Sequence, residues 1–423
     1  MKNFFLYAIF LSAFSGTLLA IDIGFTLKLS QIFALILFPF SIIDFIDKFY
    51  KNSHKHYVPF IIFILSILPS FTSENIFSDI YEVSNRYRFF FNYLFLQIIF
   101  FVITIYIDDK KKLKNSLIYI LMSYILVLLF GFYQQIGFYL GFYNPLDYLG
   151  KHSLFVDFYG PFLRISPATF ANEFGEITQT ILIFFTTYLF YYKKLKNSIS
   201  KKIDFKLILD YSFLGILLLT LFLNFTRASW IVYILFLIIG FTFSKIKTNF
   251  RLLLISMLFI LIIGIYIIDL ETNFLSYLLI LDRFLELSDL SQSSASMRLL
   301  TWEESYNLFS KNIYTILFGN GWGSTIDTHN VPLELLSETG IIGFFGYLNL
   351  IFYLIKTFYE NIKNSYQDIF YQFVSISIFY SFLGCLIFDF TNHGLYHFIF
   401  WFIIALGISL NNILYKSNNK KSA

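Results

Sequence analysis

"KKKLKNSLIYILMSYILVLLFGFYQQIGFYL", from Lys110 to Leu140, sets four lysines against one mostly apolar run over 116–140. An apolar run of about 17–25 residues is long enough, as a helix, to cross the hydrocarbon of a bilayer. The lysines mark the side on which such a helix starts. The rest of the chain repeats this arrangement. Of its 423 residues, 57% are hydrophobic and only 14% are charged, against about 25% charged in soluble domains. Mean hydropathy is +0.68. That composition excludes a soluble fold and predicts an all-α polytopic membrane protein. The 58 phenylalanines follow a general bias toward Phe, Ile, Lys and Asn and carry no functional signal. Cys385 is the one cysteine, so no disulfide forms within the chain, and its apolar surroundings predict a packed, inert thiol.

Spans are expected near 3–21, 28–47, 57–72, 88–107, 116–140, 168–192, 205–225, 228–244, 251–268, 340–358, 369–389 and 395–414, about twelve helices in all. The N-terminal run reads as the first of them and not as a cleavable signal, because Leu18 and Ala20 make a poor small-x-small cleavage site. With the N-terminus placed inside, 22 of the 31 Lys and Arg fall on that side and 9 on the other. That asymmetry predicts both termini in the cytoplasm. It divides the chain into helices one to nine over 1–268, a long outer loop over 269–339, and helices ten to twelve over 340–423. Helical periodicity around Met297, Leu300, Trp302 and Tyr306 predicts an ordered, helical loop.

The outer side is poor in lysine but holds six arginines. A guanidinium is a fixed planar fork that matches phosphate oxygens. Arg164 lies in "FLRISPATFANEFGEI", where Ser166 and Pro167 can start the sixth helix and Asn172, Glu173 and Glu176 fall on its first turns. Arg227, in "NFTRASW", sits between two apolar runs with almost no loop, hence at the membrane boundary. Arg298 is in "SASMRLLTWEE", inside the long loop. Structural ion pairs are the bland alternative for each. "LFGNGWGST" follows, with Gly319, Gly321 and Gly323 permitting a tight turn around Trp322. It has no Walker lysine and follows no strand, so it is not a nucleotide site.

The loop closes with "THNVPLELLSETGIIG", Thr328 to Gly343. Asn330 can cap a helix whose first turn contains Pro332. Gly340 ends that helix or turns the chain into the next span, and Gly340, Gly343 and Gly346 offer a small-residue face. His329 has no such structural task. A neutral histidine can accept a proton from an attacking hydroxyl, which beside cationic arginines makes a base with a clamp for a leaving phosphate. Asp389, His393 and His397 in "DFTNHGLYH" read as a capped helix turn in preference to a metal site, and no metal or cofactor is expected.

The series "TRASW", "SASMRLLTWEESYNLF", "LFGNGWG" and "THNVPLELLSETGIIG" resembles the O-antigen ligase and polymerase superfamily over about 164–343. One departure is Ala171, where relatives often carry a proline before the asparagine. The resemblance implies a GT-C-like helix bundle and a metal-independent glycosyltransferase. Its donor would be a glycan on undecaprenyl pyrophosphate, used at the periplasmic face of the bacterial inner membrane. By the same resemblance, Arg227 and Arg298 would hold the pyrophosphate with help from Arg164. His329 would act as general base on the acceptor hydroxyl or orient it, and Glu338, Asn330, Asn172, Gly321 and Gly323 would support it. The acceptor would be lipid A–core for a ligase or a glycan repeat unit for a polymerase. A protein oligosaccharyltransferase is a third reading. A transporter is a fourth, but it should show similar halves and broken helices near the midplane.

Overall fold

A computed structural model describes residues 1–15, 20–22, 26–49, 56–72, 83–143, 158–159, 162–165, 167, 171–189, 205–224, 226–240, 293–324 and 328–422. The expected span at 251–268, the loop start at 269–292 with Arg283, and Ser166 and His152 lie outside them.

The first half contributes α1 (Lys2–Leu11), α2 (Leu29–Phe49), α3 (Val58–Ile67), α4 (Val83–Tyr106), α5 (Lys110–Leu140) and α6 (Ala171–Thr187). They are followed by α7 (Phe205–Leu223), α8 (Arg227–Leu235), α9 (Ser293–Phe309), α10 (Ile313–Phe318), α11 (Val331–Asn364), α12 (Ile369–Asp389) and α13 (Phe398–Ser422). Among the described residues, α2, α5, α11, α12 and α13 contain stretches long and apolar enough to cross a membrane, and five further apolar helices are shorter. The chain is an all-α, multi-pass membrane protein.

Burial in α5 shows why the composition is so apolar. Ile118, Met122, Leu126, Leu129, Tyr133 and Ile136 recur every three or four residues on its exposed face, while Ser116, Ser123, Gln134 and Gln135 face inward. An apolar outside around a more polar inside suits lipid as the surrounding solvent. The centre of the bundle is α13, packed on α4, α11 and α12, with Trp401, Phe400 and Ile404 fully buried.

The first expected span is the clearest difference. Among the described residues of the expected 3–21, 3–11 are helical and 12–15 are not, and a two-stranded hairpin of β1 (Ala20–Asp22) and β2 (Thr26–Lys28) follows. The reason is local. The Ser12 hydroxyl donates to the Ala8 carbonyl at 2.7 Å and the Ser15 hydroxyl to Ser12 at 2.7 Å. Such serine bonds compete with the helical ladder. A second small hairpin pairs β3 (Phe158–Tyr159) with β4 (Phe162–Leu163).

The ends of the bundle sort by charge. Lys2 pairs with Asp44 at 2.7 Å and Lys110 pairs with Asp368, so α1 and α5 start where α2 ends and α12 starts. The segments bearing the candidate residues meet at the opposite end.

Candidate functional site

Three segments converge there. The first is a corner built by α6, α7 and α8. Arg227 is the first residue of α8 and is half-buried. Arg164 approaches the turn just before it. Its Nε donates to the Asn224 carbonyl at 2.9 Å and its Nη2 to the Thr226 hydroxyl at 3.0 Å. Asn224 in turn donates from Nδ2 to the carbonyls of Ile165 and Ala171, at 2.7 and 2.9 Å. The corner presses on α6 at Gly175, where an added Cβ would sit 2.6 Å from Asn224 Oδ1 and 2.8 Å from Thr226 Cβ. Arg164 thus serves the shape of the turn that carries Arg227. Asn172, on the first turn of α6, is half-buried.

The second segment is the glycine turn between α10 and α11. Gly319 (φ 75°, ψ −173°) and Gly340 (φ 67°, ψ −171°) both adopt a conformation that is essentially glycine's alone. They lie back to back. A Cβ on Gly340 would come within 2.4 Å of the Leu317 carbonyl, and one on Gly319 within 2.2 Å of the Glu338 carbonyl. Gly340 interrupts α11, and the 319–321 turn engages the carbonyls just before the break. Asn320 donates from its backbone N–H and from Nδ2 to Ser337 O, both at 2.9 Å, and Gly321 N–H donates to Glu338 O at 2.9 Å. Gly321 (φ 109°) and Gly323 (φ 70°) bend the chain around Trp322, which is fully buried. Of the small-residue face, Gly346 is the member that admits α3. A Cβ there would meet Ser66 Oγ at 2.0 Å, near the C-terminal end of α3.

The third segment is the histidine loop. Asn330 caps α11 as its sequence suggests, its Oδ1 accepting from Leu333 N–H at 3.1 Å. Trp302 on α9 donates from Nε1 to the Thr328 carbonyl at 2.8 Å. Arg298 lies one helical turn before Trp302, on the same side of α9, and is half-buried. His329, held between Trp302's anchor and the Asn330 cap, has φ 49°, the one positive value among described non-glycine residues. That costs about 1 kcal/mol or more, which the surrounding contacts must offset.

His329 Nδ1 lies 2.9 Å from His393 Nε2, and His393 Nδ1 lies 2.8 Å from Glu334 Oε2. Glu334 is on the first turn of α11 and His393 lies between α12 and α13. A second pair stands beside the first: His397 Nδ1 is 2.5 Å from Oε2 of the fully buried Glu176 on α6. Gly394 lies between, where an added Cβ would be 2.0 Å from Asp389 Oδ1 and 3.3 Å from Glu176 Oε1. The two histidines of "DFTNHGLYH" therefore pair with separate carboxylates, and His393 stands at the start of the short 394–396 turn without capping it through its side chain. Glu338 meets the glycine turn through its backbone. Burial pushes the Tyr396 hydroxyl well above the usual phenol range, and the nearby Glu338 and Glu334 add to that shift.

A continuous set of contacts joins the arginine corner to His329. Thr226 touches Gly175, the next residue Glu176 holds His397, and His393 of the same turn holds His329. His329 and the arginine segments stand out in the sequence, whereas His393, Glu334, Glu176 and His397 as partners do not. The one available signal is the polar interruption "DFTNHGLYH" between two apolar runs. No protein-family model matches the chain, and no curated protein matches it.

Proposed function

We propose that the protein is a metal-independent glycosyltransferase that moves a glycan from undecaprenyl pyrophosphate to an acceptor hydroxyl on the periplasmic side of the bacterial inner membrane. We read it as an O-antigen ligase with lipid A–core as acceptor; a repeat-unit polymerase using the same donor is the alternative. In this reading the long-loop residues and the 12-helix, GT-C-like arrangement follow the superfamily that the motifs resemble.

The observation that carries it is the junction of a hydrogen-bonded histidine with arginine-bearing segments at one end of an apolar bundle. Arg227 opens a helix, and a helix N-terminus adds positive potential and N–H donors to its own cation. Arg298 shares a helix face with the residue that anchors the His329 loop. Such a set suits a leaving pyrophosphate, whose charge needs neutralising as it develops. His329 takes the acceptor's hydroxyl proton while the acceptor oxygen bonds to the anomeric carbon. The bond from that carbon to the pyrophosphate oxygen breaks, and undecaprenyl pyrophosphate leaves with the electron pair, held by Arg227 and Arg298. A general base supplies about 10²–10⁴-fold of such a rate.

Gene deletion followed by lipopolysaccharide electrophoresis tests the reading. Lipid-linked polymer beside bare core identifies a ligase, and a single repeat unit on core identifies a polymerase. An unchanged ladder removes both. In the same assay His329→Ala and Arg298→Ala should abolish transfer while the protein still inserts.

A further inference from the structure

Two short contacts form one chain: Glu334 Oε2 to His393 Nδ1 at 2.8 Å, then His393 Nε2 to His329 Nδ1 at 2.9 Å. The carboxylate is nine-tenths buried and, when ionised, can only accept. His393 Nδ1 must therefore carry the hydrogen. With one proton on each ring, His393 Nε2 holds a lone pair, and the hydrogen between the two rings belongs to His329 Nδ1. The lone pair of His329 then falls on Nε2. The backbone is arranged for this contact, since His329 alone among described non-glycine residues has positive φ, and its ring centre lies 4.8 Å from that of His393.

We propose that His393 and Glu334 are positioning residues that hold His329 with hydrogen on Nδ1 and its lone pair on Nε2, so that Nε2 is the atom that accepts a proton. A carboxylate that fixes the tautomer of a base through its far nitrogen is an established catalytic device; here a second imidazole is inserted between the two. The order is Glu334, His393, His329, and the proton-accepting atom is the end furthest from the charge. The meaning for catalysis rests on the reading of His329 as the base, but the tautomer itself does not.

The test is nitrogen-15 NMR of the full chain, labelled at histidine and reconstituted in lipid nanodiscs. The His329 signals are assigned by their loss in His329→Gln. The wild type should show a protonated Nδ1 and an unprotonated Nε2 at His329. His393→Phe keeps a ring but removes the acceptor, and should move the hydrogen to Nε2, the nitrogen that free histidine side chains favour. Glu334→Gln offers His393 either a donor or an acceptor, and should give a mixture of both forms. Intrinsic fluorescence of the four tryptophans should stay unchanged in both variants, which separates a tautomer change from misfolding. A wild-type His329 protonated on Nε2, or a tautomer indifferent to both substitutions, overturns the proposal. Transfer from an undecaprenyl-pyrophosphate glycan reports on the function separately. Glu334→Gln should lower kcat at least tenfold, up to the about 10²–10⁴-fold a general base supplies, with donor KM unchanged. A shifted tautomer with full transfer supports the relay and removes His329 as base.

Discussion

Replacing Gly340 by alanine tests whether the glycine turn and α11 are joined through their backbones. The φ of 67° and ψ of −171° impose a strain of about 1–3 kcal/mol on any other residue. The new Cβ would also stand 2.4 Å from the Leu317 carbonyl and 2.6 Å from Gly319 N, all backbone atoms that no rotamer can move. The segments must separate, which breaks three hydrogen bonds, two to Ser337 O and one to Glu338 O. At about 0.5–1.5 kcal/mol each they bring the total to about 5 kcal/mol in mid-range. For a chain of this size that is a fall of roughly 5–10 °C in apparent Tm. Two glycines serve as controls. Gly141 has φ 80° with nothing within 4 Å, so Gly141→Ala loses only the left-handed backbone preference, about 1–2 kcal/mol. Gly215, in mid-helix, also has open space around it, so Gly215→Ala is neutral or stabilising by up to about 1 kcal/mol. Thermal unfolding in detergent, followed by tryptophan emission, should rank the three in that order. A Gly340→Ala protein that melts with Gly141→Ala would refute the backbone junction.

Other outcomes follow from single contacts. Gly346→Ala should loosen α3 from α11, because its Cβ meets Ser66 Oγ at 2.0 Å and Ser66 Cβ at 2.7 Å; adding Ser66→Gly should restore the melting temperature, and no rescue would count against this contact. His397→Phe strands the buried Glu176 carboxylate and should cost about 3–5 kcal/mol, most of it recovered by His397→Phe with Glu176→Leu, again read by thermal unfolding. Trp302→Phe removes the bond to the Thr328 carbonyl, a loss of about 1 kcal/mol, and should reduce transfer in the deletion strain without reducing membrane insertion. Burial works against ionised Asp368, but bonds from Lys110 and the backbone of Tyr371 and Phe370 outweigh it and hold the carboxyl below 3.8. A folded value below the unfolded one stabilises above 3.8 and is lost as pH falls through the folded value. Lys110→Met should therefore destabilise at neutral pH and make little difference in strong acid, as thermal scans across pH would register.

Much of the helix pattern is written in the sequence because it depends on length and hydrophobicity alone. The expected span at 369–389 coincides with α12, and the Asn330 cap and Gly340 break were visible as residue types that only a few backbone shapes favour. The short α1 was not, because a window averaged over about twenty residues does not register Ser12 and Ser15 bonding back onto their own turn. The histidine loop was legible through His329 itself. Its partners were not, since His393 and Glu334 are 64 and 5 positions away from it and meet only when α12 and α13 fold back. Arg164 shows the same limit: the sequence marks a cation, while its bonds to Asn224 and Thr226 belong to tertiary structure.

The bond between Glu176 and His397 spans 221 positions, and this bears on biogenesis. At about 5–20 residues per second, the ribosome needs roughly 10–40 s to deliver the histidine after the glutamate. During that interval α6 carries a carboxylate, Gln179 and several threonines that the finished bundle buries. Buried acidic and polar side chains raise the cost of placing α6 alone in lipid, so α6 is a poor candidate for early release into lipid. Its natural course is to linger beside the insertion machinery until α12 and α13 arrive, which makes the end of the chain a checkpoint on the middle. Truncation before His397 would then expose α6 to quality-control proteolysis even though every residue of α6 is intact.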